Sequence, residues 1–324
     1  MTDVLLLGGT GWLSSRIAEH WLDAGARVTC AARGGRDAPA GARLVVADRD
    51  GADPYAALAD REWDEIVDVS SSARHVASAV AALGLATRHW TYISSVSVYA
   101  DDDRPGADES AAPAEPAEGD DDDYARQKSG AEAAVRHGMG RRAVIIRPGL
   151  IAGPGDPSDR FGYWVSRFAL AAAGPVLVPR AADALVQVID VDDLAAFAVA
   201  LGRERWTGAV NAVGDPHPFA SVIADAREAA GHTGTVVTAP DAWLTAHEVA
   251  HWAGPRSLPL WLPADMPGFM SRSNAAFRIL GGRLRPLRTT LERTLADERV
   301  RGLDRPRRAG LTRADELALL RELP

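Results

Sequence analysis

One tyrosine and one lysine lie four residues apart, at Tyr124 and Lys128, and their side chains are suited to proton transfer. Lys128 is the only lysine among the 36 lysine and arginine residues of the chain. Because arginine occupies the other basic positions counted here, we expect the single lysine to lie where arginine could not take over its role. Residues four apart share one face of a helix, with side chains about 5–6 Å apart. A helix here would therefore make the phenol and the ammonium neighbours.

This pairing has a chemical use. A free tyrosine titrates near pH ~10, which is too high for acid–base work near neutrality. A fixed positive charge nearby favours the phenolate and lowers that pKa. Lysine is compact and can direct its donors to a phenol and to a ribose, whereas arginine presents a rigid planar fork. The spacing predicts a catalytic tyrosine assisted by Lys128; the alternative is an accidental pair on a surface helix.

The N-terminal segment has the order of strand, glycine turn and helix that binds a dinucleotide. Residues 4–7 are a fully apolar run, typical of a strand buried in a parallel sheet. A turn with the spacing G-x-x-G-x-x-S follows, and residues 16–24 form an amphipathic segment. Such a turn lets backbone N–H groups approach a pyrophosphate at the helix N-terminus; the alternative is a simple turn. The cofactor-binding candidates here are Gly8, Thr10, Gly11, Trp12 and Leu13.

The second predicted strand, residues 26–31, is followed by Arg33, and the first acidic residue comes only at Asp37. In this fold an acid at that place binds the ribose hydroxyls of NAD, whereas an arginine suits the 2′-phosphate of NADP. Arg33 therefore predicts NADP(H) as the preferred cofactor, with NAD(H) as the alternative, unless it is a solvated loop arginine. Asp48 follows the next apolar run and is a candidate for the adenine amino group, with Arg49 beside it.

Further motifs follow in order along the chain. Residues 94–99 read Ser-Ser-Val-Ser-Val-Tyr, residues 147–149 read Arg-Pro-Gly, and residues 189–194 read Ile-Asp-Val-Asp-Asp-Leu. Together with the glycine turn, Asp48 and the Tyr-x-x-x-Lys pair, they span residues 1 to about 215. The chain resembles the extended short-chain dehydrogenase/reductases, the group of NAD(P)-dependent epimerases, dehydratases and reductases. Ser14 and Ala100 stand where that family has glycine, and both are small.

The resemblance implies roles for particular residues. Ser95 takes the position of the hydroxyl that orients the substrate oxygen beside Tyr124, and Ser94 and Ser97 are weaker candidates for it. The residues implied to contact the cofactor, besides those of the glycine turn and the second strand, are Ser70, Ser71, Ser94, Tyr124, Lys128, Pro148, Leu150 and Ile151. The residues implied to contact the substrate are Ser71, Ser95, Ser97, Arg160, Tyr163 and Trp164.

These observations predict an α/β protein with a Rossmann-type, doubly wound parallel sheet and a smaller C-terminal substrate-binding lobe. A chain of 324 residues is long enough for both. We expect an NADP-binding domain at 1–150, with strands returning to it near 184–215. Residues 151–324 are expected to form the substrate lobe and a helical C-terminal region.

Composition limits the remaining classes of protein. The one cysteine, Cys30, excludes an intramolecular disulfide and fits a reducing compartment. We expect a cytoplasmic protein without a membrane span, because no apolar run approaches 18 residues. His247–His251 matches H-E-x-x-H, which on a helix directs two imidazoles at zinc. Gly254 ends any such helix one turn later and no third ligand is evident, so we expect helix-face histidines and no metal.

Charge is unevenly distributed in a chain of net charge −8. Residues 101–123 hold eight Asp and three Glu and are expected to form an acidic loop. Its last residues, 120–123, complement the N-terminal dipole of the Tyr124 helix; the alternative is a rim that attracts a cationic substrate. Residues 272–308 hold eleven Arg against four acids, which keeps an RNA-binding alternative open although the overall acidity argues against nucleic acid.

The sequence is most simply explained by an NADP(H)-dependent oxidoreductase that reduces a carbonyl of a small polar metabolite. Tyr124 transfers the proton, Lys128 lowers its pKa and holds the nicotinamide ribose, and Ser95 orients the substrate oxygen. One alternative is a nucleotide-sugar epimerase or dehydratase that uses the same triad. The other is a non-catalytic RNA-binding relative. A homodimer is compatible with either enzyme.

Overall fold

The computed structural model describes residues 1–117, 121–181 and 183–323. Residue Asp120, which was expected to lie next to the helix of Tyr124, falls outside the described residues, as do Glu118, Gly119, Ala182 and Pro324. The chain divides into two compact units. Unit 1 comprises Met1–Gly149, Val191–Gly214 and Arg272–Arg283, and unit 2 comprises Leu150–Asp190, Asp215–Ser271 and Leu284–Pro324.

The elements of the described chain are numbered in order. The strands are β1 (Asp3–Leu7), β2 (Arg27–Ala32), β3 (Arg43–Val46), β4 (Trp63–Asp68), β5 (Thr87–Ile93), β6 (Ala143–Pro148), β7 (Leu150–Ala152), β8 (Val176–Pro179), β9 (Leu185–Asp190), β10 (Gly208–Ala212), β11 (Pro216–Pro218), β12 (Val236–Ala239), β13 (Ala250–His251) and β14 (Ser257–Leu258). The α-helices are α1 (Trp12–Asp23), α2 (Ala56–Ala59), α3 (Ala73–Leu83), α4 (Tyr124–Met139), α5 (Arg160–Ala171), α6 (Val191–Glu204), α7 (Phe219–Ala230), α8 (Asp241–Ala246), α9 (Ala275–Ile279), α10 (Leu287–Arg301) and α11 (Arg313–Glu322).

Unit 1 is built on a seven-stranded sheet in the order β10-β6-β5-β4-β1-β2-β3. Every neighbouring pair in it is parallel. Helix α1 packs with α6, and α3 packs with α4. Residues 4–7 of β1 are buried because a parallel sheet is covered on both faces. The predicted Rossmann-type, doubly wound sheet is confirmed.

Helix α4 begins at Tyr124 for a local reason. The Asp123 carboxylate accepts a hydrogen bond from the backbone N–H of Arg126 at 2.9 Å, which is the arrangement of an N-cap. The buried face of the helix includes Lys128, Glu132 and Val135, at the three- and four-residue spacing of one helix face. The end of the acidic loop therefore starts the helix that carries the predicted catalytic pair.

A histidine and a glutamate form a buried pair between β4 and β5. His89 Nδ1 lies 2.7 Å from Glu65 Oε2, and its Nε2 lies 2.8 Å from the carbonyl oxygen of Trp206. Both side chains are only 1% exposed. Burial acts to lower the pKa of His89, but the hydrogen bond and charge of Glu65 outweigh it, so the pKa is raised above its ordinary value. Both ring nitrogens face acceptor oxygens, an arrangement that favours the protonated ring.

Unit 2 contains three small sheets, in the orders β11-β9-β7, β12-β8 and β13-β14. Strands were expected to return to the first domain near 184–215: β10 lies in the sheet of unit 1, whereas β9 belongs to unit 2. The core of unit 2 includes Tyr163 and Trp164, each 1% exposed. Both rings pack inside this core, and their contact with substrate stays a prediction.

No helix among the described residues is long and apolar enough to cross a membrane.

The buried pair predicts a pH-dependent stability. A histidine whose folded pKa is raised stabilises fully at pH values below its unfolded pKa, ~6.5, and this stabilisation is lost as the pH rises through the folded pKa. His89→Ala removes one partner of a buried pair and should cost about 3–5 kcal/mol at low pH. Urea unfolding of the wild type and the variant should show this difference shrinking from pH 6 to pH 9. The exposed His137→Ala is the control, and a pH-independent difference would contradict the prediction.

Candidate active site

Lys128 lies under the carboxyl ends of β4 and β5. Its Nζ donates to the carbonyl oxygen of Ile93 at 2.7 Å and to that of Ser70 at 3.0 Å. Only 2% of the residue is exposed. These bonds use two of the three ammonium donors. In open α/β sheets ligands bind outside the carboxyl ends of the strands, so the lysine stands at the expected edge.

Tyr124, one helical turn earlier, is 48% exposed. Lys128 Nζ lies 6.0 Å from the centroid of its ring and 4.9 Å from the centroid of the buried Tyr92 ring. Burial lowers the pKa of Lys128 to about 8, against the opposing charges of Asp68 and Glu132. The structure thus places a solvent-facing phenol close to a buried ammonium, as the spacing of the two residues predicted.

Ser95 lies just after β5, at the start of a short 3₁₀ turn, Val96–Val98. Its Oγ accepts from the backbone N–H of Ser97 and donates to Ser97 Oγ, both at 3.1 Å. Ser94 is buried. Because Lys128 is bonded to the carbonyl of Ile93, the strand end that carries the serines is tied to the helix that carries Tyr124 and Lys128.

The glycine turn between β1 and α1 is held by Ser14. Its Oγ donates to the carbonyl oxygen of Gly8 at 2.6 Å and lies 3.2 Å from that of Gly11. Gly8 adopts a φ of +80°, which glycine tolerates at no steric cost. A Cβ on Gly9 would lie 2.6 Å from Cys30 Cβ. The serine that replaces the usual third glycine therefore closes the turn through its hydroxyl.

This turn leads to a cavity of about 740 Å³. Helix α1 begins there at Trp12, with Gly11 as its N-cap and no side-chain cap from any described residue, and the N-terminus of a helix attracts an anion. The polar side chains on the cavity wall are those of Thr10, Arg33, Arg36, Asp48, Arg49, Asp50 and His75. An anion-binding helix end beside a cavity of this size and polarity fits the pyrophosphate and adenosine of a dinucleotide.

Arg49 lines this cavity, as predicted for a cofactor residue, but its guanidinium is anchored below it. Nη1 and Nη2 donate to the two carboxylate oxygens of Asp68, each at 2.8 Å, and Nε donates to Tyr55 Oη at 3.0 Å. Asp68 is 0% exposed. Asp68 was not among the predicted residues, although an acid at the end of an apolar strand is a signal for such a role.

Three polar residues of the cavity wall, Arg36, Asp50 and His75, were also not among the predicted cofactor residues. Arg36 stands in the same turn as Arg33, where the spacing of the two arginines is a readable signal. His75 lies 2.9 Å from Asp50, and the hydrogen bonds of His75 and Arg74 lower the pKa of Asp50 to about 2. No sequence pattern links α3 to this cavity, so His75 required the fold.

The remaining cofactor candidates are placed as follows. Trp12 and Leu13 form the first turn of α1, and Pro148 ends β6. The backbone carbonyl oxygen of Ser70 accepts a hydrogen bond from the ammonium of Lys128, and the neighbouring Ser71 is exposed. Leu150 and Ile151 lie in β7 of unit 2.

The third substrate candidate in unit 2, Arg160, starts α5 and lies with its guanidinium 4.7 Å from the centroid of the Trp252 ring. It is half-buried. Unlike Tyr163 and Trp164, Arg160 is not in the core of unit 2, and its contact with substrate also stays a prediction.

Several acids of the acidic loop have partners inside unit 1. Asp102 bonds the buried Arg272 at 2.6 Å. Glu109 accepts from the backbone N–H of Asn211 at 2.7 Å, and Asp121 pairs with Arg126 at 2.6 Å. These contacts fasten the loop and reduce the charge available to attract a ligand. A cationic substrate therefore stays a prediction.

The basic C-terminal stretch is also paired. In unit 2, Arg293 and Arg285 approach the buried Asp190 at 2.9 and 3.4 Å. Arg305 and Arg307 approach the buried Glu298 at 3.0 and 2.6 Å. An RNA-binding surface needs arginines that face phosphate, so these ion pairs weaken the RNA-binding alternative.

The H-E-x-x-H match does not lie on a helix. Helix α8 ends at Ala246, and His251 is in β13, so the expectation of helix-face histidines is wrong. His247 stacks on Trp243 and His251 packs on Trp261, with ring centroids 3.8 Å apart in each pair. Among the described residues, no group of three His, Cys, Asp or Glu side chains could hold a metal ion.

Comparison with known families agrees with this geometry. The model of the NAD-dependent epimerase/dehydratase family matches residues 4–213. The chain belongs to this family. The match covers the Rossmann unit, the serines after β5 and the Tyr124–Lys128 pair, which are the pieces on which the resemblance to extended short-chain dehydrogenase/reductases rested.

Solved structures of similar fold come from several bacteria. A Burkholderia cenocepacia J2315 protein provisionally named an epimerase has a TM-score of 0.72 and 22% identity, covering 92% of this chain and 98% of its own. UDP-N-acetylglucosamine 4-epimerase from Bacillus cereus has a TM-score of 0.66 and 17% identity, covering 93% and 100%. UDP-glucuronic acid 4-epimerase from Bacillus cereus, solved in complex with NAD, has a TM-score of 0.68 and 14% identity, covering 92% and 99%.

At these identities the likeness shows the fold. Among curated protein sequences, none matches this chain.

The glycine turn gives a prediction for cofactor binding. Gly9→Ala places a methyl group against Cys30 and must displace the turn, at an overpacking cost of about 1–3 kcal/mol. Fluorescence titration with NADH and NADPH should show at least about tenfold weaker binding, which corresponds to ~1.4 kcal/mol. Gly35→Ala is the matched control, because Gly35 lines the same cavity and its Cβ would meet nothing within 4 Å. Equal affinities in the two variants would contradict the prediction.

Proposed function

We propose that the protein is an NAD(P)-dependent enzyme that epimerises or dehydrates a nucleotide sugar. The observation that carries the proposal is the buried ammonium of Lys128, bonded to Ser70 and Ile93, beside the exposed phenol of Tyr124. Family membership and the 4-epimerases of similar fold favour this activity over the simple carbonyl reduction that the sequence first suggested.

The reaction begins at a carbon that bears a hydroxyl group. When bound, a nicotinamide dinucleotide accepts a hydride from that carbon and later returns it. The Tyr124 phenolate takes the hydroxyl proton as the C–H bond breaks, and a carbonyl compound results. In epimerisation Tyr124 would return the proton to the oxygen of the carbonyl compound, and because the bound cofactor would take up and give back the same hydride, the whole reaction would be redox-neutral.

The chain's own groups make this proton transfer feasible near neutrality. The ammonium of Lys128 favours the phenolate form of Tyr124 electrostatically. Its position is fixed by two backbone carbonyls rather than by flexible side chains. Ser95, held by the turn after β5, supplies a hydroxyl to orient the substrate oxygen.

The test is a redox balance. The enzyme is supplied with UDP-glucose, UDP-N-acetylglucosamine or UDP-glucuronic acid and a catalytic amount of cofactor. We expect an epimerised or dehydrated product with no net change in nicotinamide absorbance. Tyr124→Phe should lower turnover by about 10²–10⁴-fold, the usual contribution of a general acid–base group, with the affinity for cofactor unchanged. Stoichiometric oxidation of NADPH by aldehydes or ketones, without epimerisation, would instead identify a reductase.

Lys128→Arg is the companion variant, because it keeps the charge and changes its shape. The guanidinium cannot replace the ammonium between two carbonyls and a ribose. We therefore expect both turnover and cofactor binding to fall, unlike in Tyr124→Phe. Near-normal turnover in both variants would remove the basis of the proposal.

We further propose that NADP(H) is preferred over NAD(H). Arg33 and Arg36 both line the cavity that fits the adenosine of the cofactor, and guanidinium groups suit a 2′-phosphate. NAD is the dinucleotide bound in the Bacillus cereus UDP-glucuronic acid 4-epimerase, so the choice between the two cofactors rests on these arginines.

The preference can be tested by substitution. Arg33→Asp should weaken NADPH binding by about 10–100-fold, since a hydrogen bond to a charged group contributes ~1.5–3 kcal/mol, and should spare NADH. Arg43→Asp on β3, outside the cavity wall, serves as the control. Tighter binding of NADH than NADPH by the wild type would show that the preference is wrong.

A further inference from the structure

A continuous set of bonds joins Lys128 to the wall of the adenosine cavity. Lys128 Nζ donates to the carbonyl oxygen of Ser70 at 3.0 Å, and the backbone N–H of Ser70 donates to Asp68 Oδ1 at 2.9 Å. Asp68 in turn receives both Nη groups of Arg49, each at 2.8 Å. Arg49 lines the cavity. One buried carboxylate therefore lies between the two parts of the site.

Asp68 determines where the acceptor of the lysine lies. Ser70 is held on both sides: its N–H is bonded to Asp68, while its carbonyl oxygen receives Lys128 and also Tyr92 Oη at 3.0 Å. Asp68 is the last residue of β4 and is wholly buried, so its carboxylate has a fixed position. Loss of the bond to Asp68 would free the backbone that carries the Ser70 carbonyl.

The carboxylate also acts on the charge of the lysine. The groups that face Lys128 are Asp68 on β4, Tyr92 on β5, and Tyr124 and Glu132 on α4. Burial lowers the pKa of Lys128, and the charges of Asp68 and Glu132 raise it in opposition. Each of these carboxylates is itself bonded to an arginine.

We propose that Asp68 is a positioning residue for the catalytic lysine, which holds the Ser70 carbonyl under the ammonium and ties it through Arg49 to the cofactor cavity. The catalytic role of Lys128 rests on the proposed function, whereas the positioning of Lys128 by Asp68 does not. Two consequences follow. Removing the charge of Asp68 destabilises the ammonium form of Lys128, and releasing Arg49 loosens one wall of the cavity.

The chain offers an unusually direct measurement, because it has a single lysine. Protein labelled with ¹³C at lysine Cε gives one lysine resonance, and its pH titration reports Lys128 without any substrate. The wild-type midpoint is expected at about 8. Asp68→Asn should lower that midpoint by about one unit or more, within the range that a nearby opposite charge produces. The Kd for NADPH should rise by about tenfold, the loss of one ~1.4 kcal/mol contact.

The control and the second variant make the result decisive. Asp64→Asn removes an acid from the same strand, partly exposed and 3.3 Å from Arg88, and should change neither quantity. Arg49→Gln leaves the Asp68 charge without its arginine, so the lysine midpoint should rise while NADPH binding weakens. The opposite shifts of the midpoint separate an electrostatic link from general loosening of the fold.

The measured midpoint and Kd decide between the proposal and its alternatives. An unchanged midpoint and an unchanged Kd in folded Asp68→Asn, with folding checked by circular dichroism, would overturn the proposal. A shifted midpoint with unchanged NADPH affinity would overturn the link to the cavity. If Asp68→Asn does not fold, Arg49→Gln decides by the same two readouts. None of these measurements needs turnover, so the absence of epimerase activity leaves them interpretable.

Discussion

The structure of the candidate site depends on the burial of one ammonium group, that of Lys128. A buried lysine is costly unless its donors and its charge are satisfied. Here the donors are met by carbonyls at the ends of two neighbouring strands, and the charge is balanced by carboxylates that are themselves held by arginines. The parallel pairing of β4 with β5 brings those carbonyls together, and the cap at Asp123 sets where α4 begins. Sheet register and helix start together define the position of the lysine.

Much of this arrangement could be predicted from sequence because its signals are local. The apolar run of β1 with its glycine turn, and the four-residue spacing of Tyr124 and Lys128, need no tertiary knowledge. Asp68 and His75 were missed because they act across elements: one joins β4 to a loop arginine, and the other reaches the cavity from α3. The burial of Tyr163 and Trp164 in the core of unit 2 could not be read from the sequence, because an aromatic helix face has the same pattern whether it meets a ligand or a core. Periodicity shows that a face is buried, not what buries it.

Charge patterns were the least informative signal. The acidic loop and the basic C-terminal stretch each look like surfaces for a partner when the chain is read linearly. In the fold, Asp102 pairs with Arg272, and Glu298 pairs with Arg305 and Arg307. The opposite charge lies far away in the sequence for Asp102 and Arg272, and within the same stretch for Glu298 and its two arginines. Partner predictions from runs of like charge therefore need the ion pairs of the folded chain before they carry weight.

The burial of the single lysine has a consequence for how such a protein can be regulated or labelled. Acetylation, ubiquitination and amine-directed cross-linking act on lysine side chains that protrude from the surface. This chain offers them the amino terminus and one ammonium that is only 2% exposed. Under the proposed function, a modification of Lys128 would lie at the centre of the candidate site and stop the proton transfer. The protein surface therefore presents no lysine side chain for modification. Control of the enzyme through lysine would switch its activity off completely and could not adjust it by degrees.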